Sequence, residues 1–297
     1  MNRRKLISGL ASLGGAFGAA RRGYAPKMGV QAYVWQQSLG RDKRTIADGV
    51  ADVVSSLAEA GYKAVEMTSS FFTPELAPRT LDLLAARGLK LAIVYNGGDM
   101  HTADGAARTT DDTLALVERV RAARIEGVSF NPNPKKGRER KTDAELETQT
   151  RATGELGKRL HRMKLPLLVH EHAPELAENA REWRHLLRGT DPKHVGVCLD
   201  VHWVLRAGLD PMTLVEEAGP RIGDVHLRNS RNGVWLEELA DGDVDYSKVA
   251  AHLKKIGYRG WLVVELAWDP GTAITRGLTE NLRRSRKWAE RVFDVRG

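Results

Sequence analysis

Hydrophobic positions along the chain fall into two alternating rhythms. Short β-rich runs occur at residues 28–35, 63–67, 90–96, 126–131, 166–170, 195–200, 222–227 and 261–266. Between them lie longer stretches with apolar residues three and four apart, as at 45–60, 74–87, 110–123, 143–163 and 246–256, the spacing of an amphipathic helix. Gly61, Gly88, Gly127 and Gly257 follow the expected helix ends, where a left-handed C-cap favours glycine. Eight strands alternating with helices predict a parallel sheet, and eight such units closing on themselves make a (β/α)8 barrel. An open doubly wound sheet has little support, because no G-x-G-x-x-G follows the first strand.

Four strand ends in the second half carry potential metal ligands. They are Leu167-Leu-Val-His170-Glu-His172, Val195-Gly-Val-Cys-Leu-Asp200-Val-His202, Ile222-Gly-Asp-Val-His226-Leu-Arg228 and Trp261-Leu-Val-Val-Glu265. His170, Asp200, His226 and Glu265 are 30, 26 and 39 residues apart, which suits one strand, one helix and two loops per step. Parallel strands deliver their C-terminal ends to one face, so these four side chains are expected to converge. Imidazole and carboxylate together suit Mn2+, Mg2+, Co2+ or Zn2+. His172 and His202 lie two residues further out on an alternating strand and are expected to touch substrate or support the ligands. Glu66, closing the second strand, points by this topology to the same mouth and is a candidate acid or base. Glu171 is another. Trp35 and Trp203 offer aromatic walls for a sugar ring, and Arg228 offers a cation for a substrate oxygen.

Length allows one large barrel or two medium domains, and no low-complexity linker marks a boundary. The single cysteine, Cys198, excludes an internal disulfide and reads as a buried strand position. No apolar run approaches the roughly 20 residues of a transmembrane helix. The first 25 residues differ from the rest: Met1-Asn-Arg3-Arg4-Lys5, then a Gly/Ala-rich, weakly apolar stretch to Ala20. This resembles a twin-arginine export signal, with cleavage near Ala20 or Ala25, followed by a single barrel domain over 26–297. The competing reading is a basic tail or a first helix. Export would place the protein in the periplasm or another extracytoplasmic space, and otherwise it is cytoplasmic. Five of the eight net positive charges lie in that stretch, so the basic balance argues little for nucleic-acid binding. The basic run from Lys135 to Lys141 reads as a solvated loop.

The segments around Asp200-Val-His202-Trp-Val-Leu-Arg-Ala-Gly208-Leu-Asp-Pro211, Asp224-Val-His226-Leu-Arg-Asn-Ser230 and Val263-Val-Glu265 resemble the xylose isomerase-like TIM-barrel superfamily of sugar phosphate isomerases and epimerases, over about residues 27–290. The resemblance implies a divalent metal held by Glu, Asp, His and Glu. The last three carry over to Asp200, His226 and Glu265, whereas His170 stands where the first Glu is expected. It also implies a sugar isomerase or epimerase that abstracts a proton next to a carbonyl through an enediolate, with Glu265 as one base and His170, Glu171, His172 or Glu66 as the other. The alternatives are a metal-dependent keto-sugar dehydratase or lyase, hydrolysis of DNA phosphodiesters, and a catalytically silent carbohydrate-binding barrel. The expected partners are a small sugar or keto-sugar and a second copy of the chain, with neither nucleic acid nor, in the mature form, a membrane.

Overall fold

The structure, a computed structural model, describes residues 23–295. Eight parallel strands close into a barrel: β1 (Lys27–Gln31), β2 (Ala64–Thr68), β3 (Lys90–Gly98), β4 (Gly127–Pro132), β5 (Leu167–Val169), β6 (Val195–Asp200), β7 (Ile222–Leu227) and β10 (Trp261–Val264). Strand β1 pairs with both β2 and β10, which shuts the sheet. A two-stranded hairpin, β8 (Ser230–Arg231) and β9 (Val234–Trp235), stands on the loop after β7. The expected (β/α)8 architecture is therefore present, and the chain ends of all eight barrel strands face one mouth.

Helices cover the outside because each presents one apolar stripe. In α2 (Ile46–Glu59) the buried Val50, Val53, Val54 and Leu57 recur at helical spacing, and Thr45 with Asp48 forms a capping box that fixes its start. Thr142 and Glu145 do the same for α5 (Asp143–Arg162). Helices α3 (Ala77–Ala86), α4 (Ala103–Arg119), α6 (Ala177–Gly189), α8 (Pro211–Ala218), α9 (Tyr246–Lys255) and α10 (Leu278–Phe293) complete the layer, with α1 (Tyr33–Arg41) and α7 (Val201–Arg206) short and set at the mouth. Gly61, Gly88 and Gly257 have positive φ as expected of C-caps. Gly127 instead opens β4, and the left-handed residue at that corner is Arg124.

The expected strand over 28–35 ends at Gln31, and α1 follows at once. At the other edge, the expected export signal lies almost wholly in residues 1–22, outside the described residues. From Tyr24 the chain is already tied to the barrel: its hydroxyl donates to Phe293 O, and Ala25 N donates to Tyr258 O. Among the described residues no helix is long and apolar enough to cross a membrane.

Period-two alternation places the site. Ala64, Leu168, Cys198 and Val263 fill the barrel interior together with Ala92, Ile93 and Trp261. Two residues further along the same strands, on the same face, come Glu66, His170, Asp200 and Glu265. Register then sets neighbours: Asp200 stands opposite His226, and Cys198 opposite Asp224. The interior thus changes from apolar to ionisable within one strand step.

Candidate active site

His170, Asp200, His226 and Glu265 come together at the mouth end, with one donor atom from each lying within 4.8 Å of the others. His226 Nδ1 is 3.2 Å from Glu265 Oε2, and His170 Nε2 is 3.7 Å from Asp200 Oδ2. Such separations match donors that each lie about 2.1 Å from one shared ion. Neither ring nitrogen of His170 has a hydrogen-bond partner, although the residue is buried. A buried imidazole is not ordinarily left so. Two imidazoles supply borderline nitrogen donors, and two carboxylates supply the charge that a divalent cation neutralises. The residues therefore fit a divalent cation, with His170, Asp200, His226 and Glu265 as its holders.

Local structure fixes these ligands. Asp200 ends β6 and caps α7, its Oδ1 accepting from the backbone N–H groups of His202 and Trp203 at 3.0 Å each. Its Oδ2 is left for the cluster and pairs with Arg228. Burial works against the charge on Asp200, yet Arg228 and His170 outweigh it and hold the carboxyl well below the usual range. Glu265 is likewise held ionised against burial by Arg228 and His226. Burial alone would keep His226 neutral; Cys198, Glu66 and Glu265 around it push its pKa well above the ordinary imidazole value. Burial lowers His170. The Arg228 guanidinium packs against two indoles that touch each other edge-on, 4.8 Å from the Trp203 ring centre and 4.7 Å from that of Trp235.

Above the cluster opens a cavity of about 520 Å³. That is within the range of small-molecule sites. Glu265, His172, Arg228 and Tyr95 border it, with Trp203, Trp235 and Trp268 as aromatic walls and Gln36, Gln37, Asn96 and Asn133 as polar ones. Glu265 is the one carboxylate among its described lining residues. His172 packs edge-on to Trp203 and to His170. Burial, with His170 adding to it, pushes the His172 pKa down to about 3, so its ring is neutral near pH 7. Tyr95 keeps its proton, because burial and then Glu265 push its hydroxyl well above the usual range.

Several expected site residues are placed elsewhere. Glu171 alternates to the outside of the barrel, where its Oε1 accepts from Asp200 N at 2.9 Å and its side chain lies among Val169, Trp183 and Leu186. It is not offered to the cluster. His202 is fully buried and does not border the cavity, because the strand ends at Asp200 and the helix that follows breaks the alternation. Trp35 packs against the core for the same reason, and Tyr33, Gln36 and Gln37 of α1 face the cavity instead. Arg228 reaches the cavity, but its charge is committed to Asp200 and Glu265. Glu66 lies in the floor, its Oε2 3.2 Å from His226 Nε2, and burial pushes its pKa up to about 8. The Lys135–Lys141 run is not simply solvated: Lys141 is buried against Glu182 and Gln149, 2.6 and 2.8 Å away.

Sequence reasoning gave no role to Asp224. It sits two residues before His226 on the same face, with Oδ2 3.6 Å from His226 Nε2 and Cys198 Sγ donating to it at 3.5 Å. Alternation along β7 was the signal that could have found it.

Comparison with known proteins agrees with this architecture. The sequence profile of the family described as xylose isomerase-like TIM barrel matches residues 54–292. An inosose dehydratase from Geobacillus kaustophilus is 27% identical over 251 residues, covering 74% of this chain and 81% of the relative. Among solved structures, a sugar phosphate isomerase/epimerase from Parabacteroides distasonis superposes with a TM-score of 0.71 at 17% identity, over 90% of this chain and 94% of that one. A D-allulose 3-epimerase from Methylomonas sp., in complex with D-allulose, gives 0.69 at 16% identity, over 90% and 97%. With its closed eight-strand barrel and a family match across most of its length, the chain belongs to the xylose isomerase-like TIM-barrel family.

Proposed function

We propose that the protein is a divalent-cation-dependent dehydratase, a lyase that removes water from a small keto-polyol of the keto-cyclitol or keto-sugar class. One observation carries the reading: a single carboxylate, Glu265, borders the described cavity, while the segment that follows β5 contributes an imidazole there, His172, instead of a second acid. Exchange of a proton between two carboxylates on opposite faces of one carbon lacks its second member. The name of the Geobacillus relative, an inosose dehydratase, supports elimination.

A bound divalent cation would supply Lewis-acid polarisation of the substrate carbonyl, which acidifies the neighbouring C–H. The rest falls to side chains. Glu265 is held ionised by Arg228 and His226, which suits a cation ligand. His172 is neutral and open to the cavity. Its imidazole takes the proton from the carbon next to the carbonyl, the C–O bond to the β-hydroxyl breaks, and the same imidazolium returns the proton to the departing oxygen as water. Tyr95 and the amides of Gln36, Gln37, Asn96 and Asn133 hydrogen-bond the remaining hydroxyls, and the indoles cover the apolar ring face.

Isomerisation or epimerisation is the second reading, favoured by the presence of two proton acceptors, Glu265 and His172, on one cavity. Incubation with a keto-inositol and with ketohexoses in deuterated water separates them by NMR. An unsaturated ketone or its diketone tautomer supports dehydration, whereas deuterated epimers without loss of water support the second reading. Extracytoplasmic location is part of the proposal and rests on the basic, Gly/Ala-rich residues 1–22. Fractionation of cells producing the full chain tests it.

A further inference from the structure

His226 is gripped from two sides. Its Nδ1 faces Glu265 and the cation cluster, and its Nε2 faces Glu66 at 3.2 Å and Asp224 at 3.6 Å. All three of Glu66, Asp224 and His226 are at most 1% exposed. The lower pair does not border the cavity. A cation held among Glu66, Asp224 and His226, which are themselves close enough to be considered as a ligand set, would be sealed away from any substrate.

We infer that Glu66 is a positioning residue: as acceptor of the His226 Nε2–H it fixes the tautomer and plane of the ring, so that the Nδ1 lone pair is presented to the cation. Asp224 Oδ2 lies 3.6 Å from the same Nε2 and is itself held by the Cys198 thiol at 3.5 Å. A carboxyl oxygen that accepts the second N–H of a ligating imidazole raises the ring's basicity and removes its freedom to rotate. The need for such a device is visible in this barrel. An imidazole that can turn about its Cβ–Cγ bond has two nitrogens to offer, and here both sides are rich in carboxylate. Glu66 on β2 is the group that makes the two nitrogens unlike. It therefore acts through His226 and touches no substrate, in contrast to the acid or base role that its strand-end position suggests.

The inference rests on the cation cluster of the proposed function, and its test reads cation binding rather than turnover. Mn2+ affinity and stoichiometry are measured by calorimetry on the full chain for wild type, Glu66→Ala, His226→Ala and the double variant, with the folded state of each cation-free protein checked by circular dichroism. Glu66→Ala is expected to weaken one Mn2+ site by about 10- to 100-fold. In the His226→Ala background the same substitution is expected to cost no more than about twofold, since non-additivity marks a residue acting through another. Glu66→Gln keeps an acceptor oxygen, so it retains affinity to within about tenfold. If Glu66→Ala does not fold, Glu66→Gln carries the cycle, with a smaller loss that must again vanish beside His226→Ala. Wild-type affinity in the variants, additive losses, or a fall from two Mn2+ to one on changing Glu66 would each overturn it, the last by making Glu66 a ligand of a second ion. Failure to dehydrate any keto-polyol would leave this result untouched.

Discussion

Arg228 Nη1 lies 3.4 Å from Glu265 Oε2, so a permanent cation already stands beside one of the carboxylates that a metal would use. The same guanidinium pairs with Asp200 and is 4% exposed. Removing one partner from a buried ion pair costs about 3 kcal/mol or more, because the charge left behind is uncompensated. Arg228→Met is therefore expected to lower the stability of the cation-free protein by about that amount. Mn2+ is then expected to raise the melting temperature of the variant by more than it raises that of wild type. Thermal denaturation with and without Mn2+ measures both. A smaller Mn2+ effect in the variant would show that Arg228 organises the ligands rather than competing with the ion.

His170 stands where a third carboxylate would make the cluster more negative and harder. Imidazole favours Zn2+ and similar borderline ions, whereas carboxylate favours Mg2+ and Mn2+. His170→Glu is expected to shift the ratio of Mg2+ to Zn2+ affinity toward Mg2+ by about tenfold or more. Competition titrations give the ratio directly, and an unchanged ratio would remove His170 from the ligand set.

Glu175 lies on the β5 loop behind His172, with its Oε2 accepting from His172 N at 2.8 Å. Burial pushes its carboxyl up to about 7 from the ordinary 4.5. Because the folded state binds this proton more tightly than the unfolded one, the benefit is fully present below about pH 4.5 and is lost as pH rises through about 7. The loss is of order 3 kcal/mol if the shift is fully expressed. Glu175→Gln is expected to flatten the decline in stability between pH 5 and pH 8, read from urea unfolding at each pH. A variant that keeps the wild-type slope would place the responsible groups elsewhere, Glu171 and Glu66 being the other buried carboxyls shifted upward.

His172→Asn separates binding from proton transfer. The substitution keeps a polar side chain on the cavity but cannot accept the proton. The rate of elimination is expected to fall by about 10²- to 10⁴-fold, the usual worth of a positioned acid or base, with Mn2+ affinity unchanged. Retention of turnover would return the proton-accepting role to Glu265.

The barrel and the cluster were legible because both follow from strict periodicities. Repeat spacing put His170, Asp200, His226 and Glu265 at successive strand ends, and parallel pairing brought them together. Residues beyond the strand ends were not legible in the same way. Trp35 and His202 were placed by extending the alternation past Gln31 and Asp200, where helices begin at once and the period changes from two to 3.6. Glu171 shows the same rule working in the other direction, since its neighbour His170 takes the inward position. The cavity's amides come from α1, the end of β3 and the loop after β4, segments far apart in sequence. Nothing local in the chain says that Gln36 and Asn133 meet. Arg228 was visible as a cation, but its commitment to Asp200 and Glu265 depends on cross-strand geometry.

The most direct test of cation-dependent dehydration is the near-ultraviolet absorbance of a keto-inositol solution after addition of protein stripped with EDTA and then reloaded with Mn2+. The account predicts growth of an unsaturated-ketone or enolised-diketone band only after reloading, and none with the Asp200→Asn protein. Formation of the same product at the same rate in EDTA, or epimeric ketones with no such band, would contradict it.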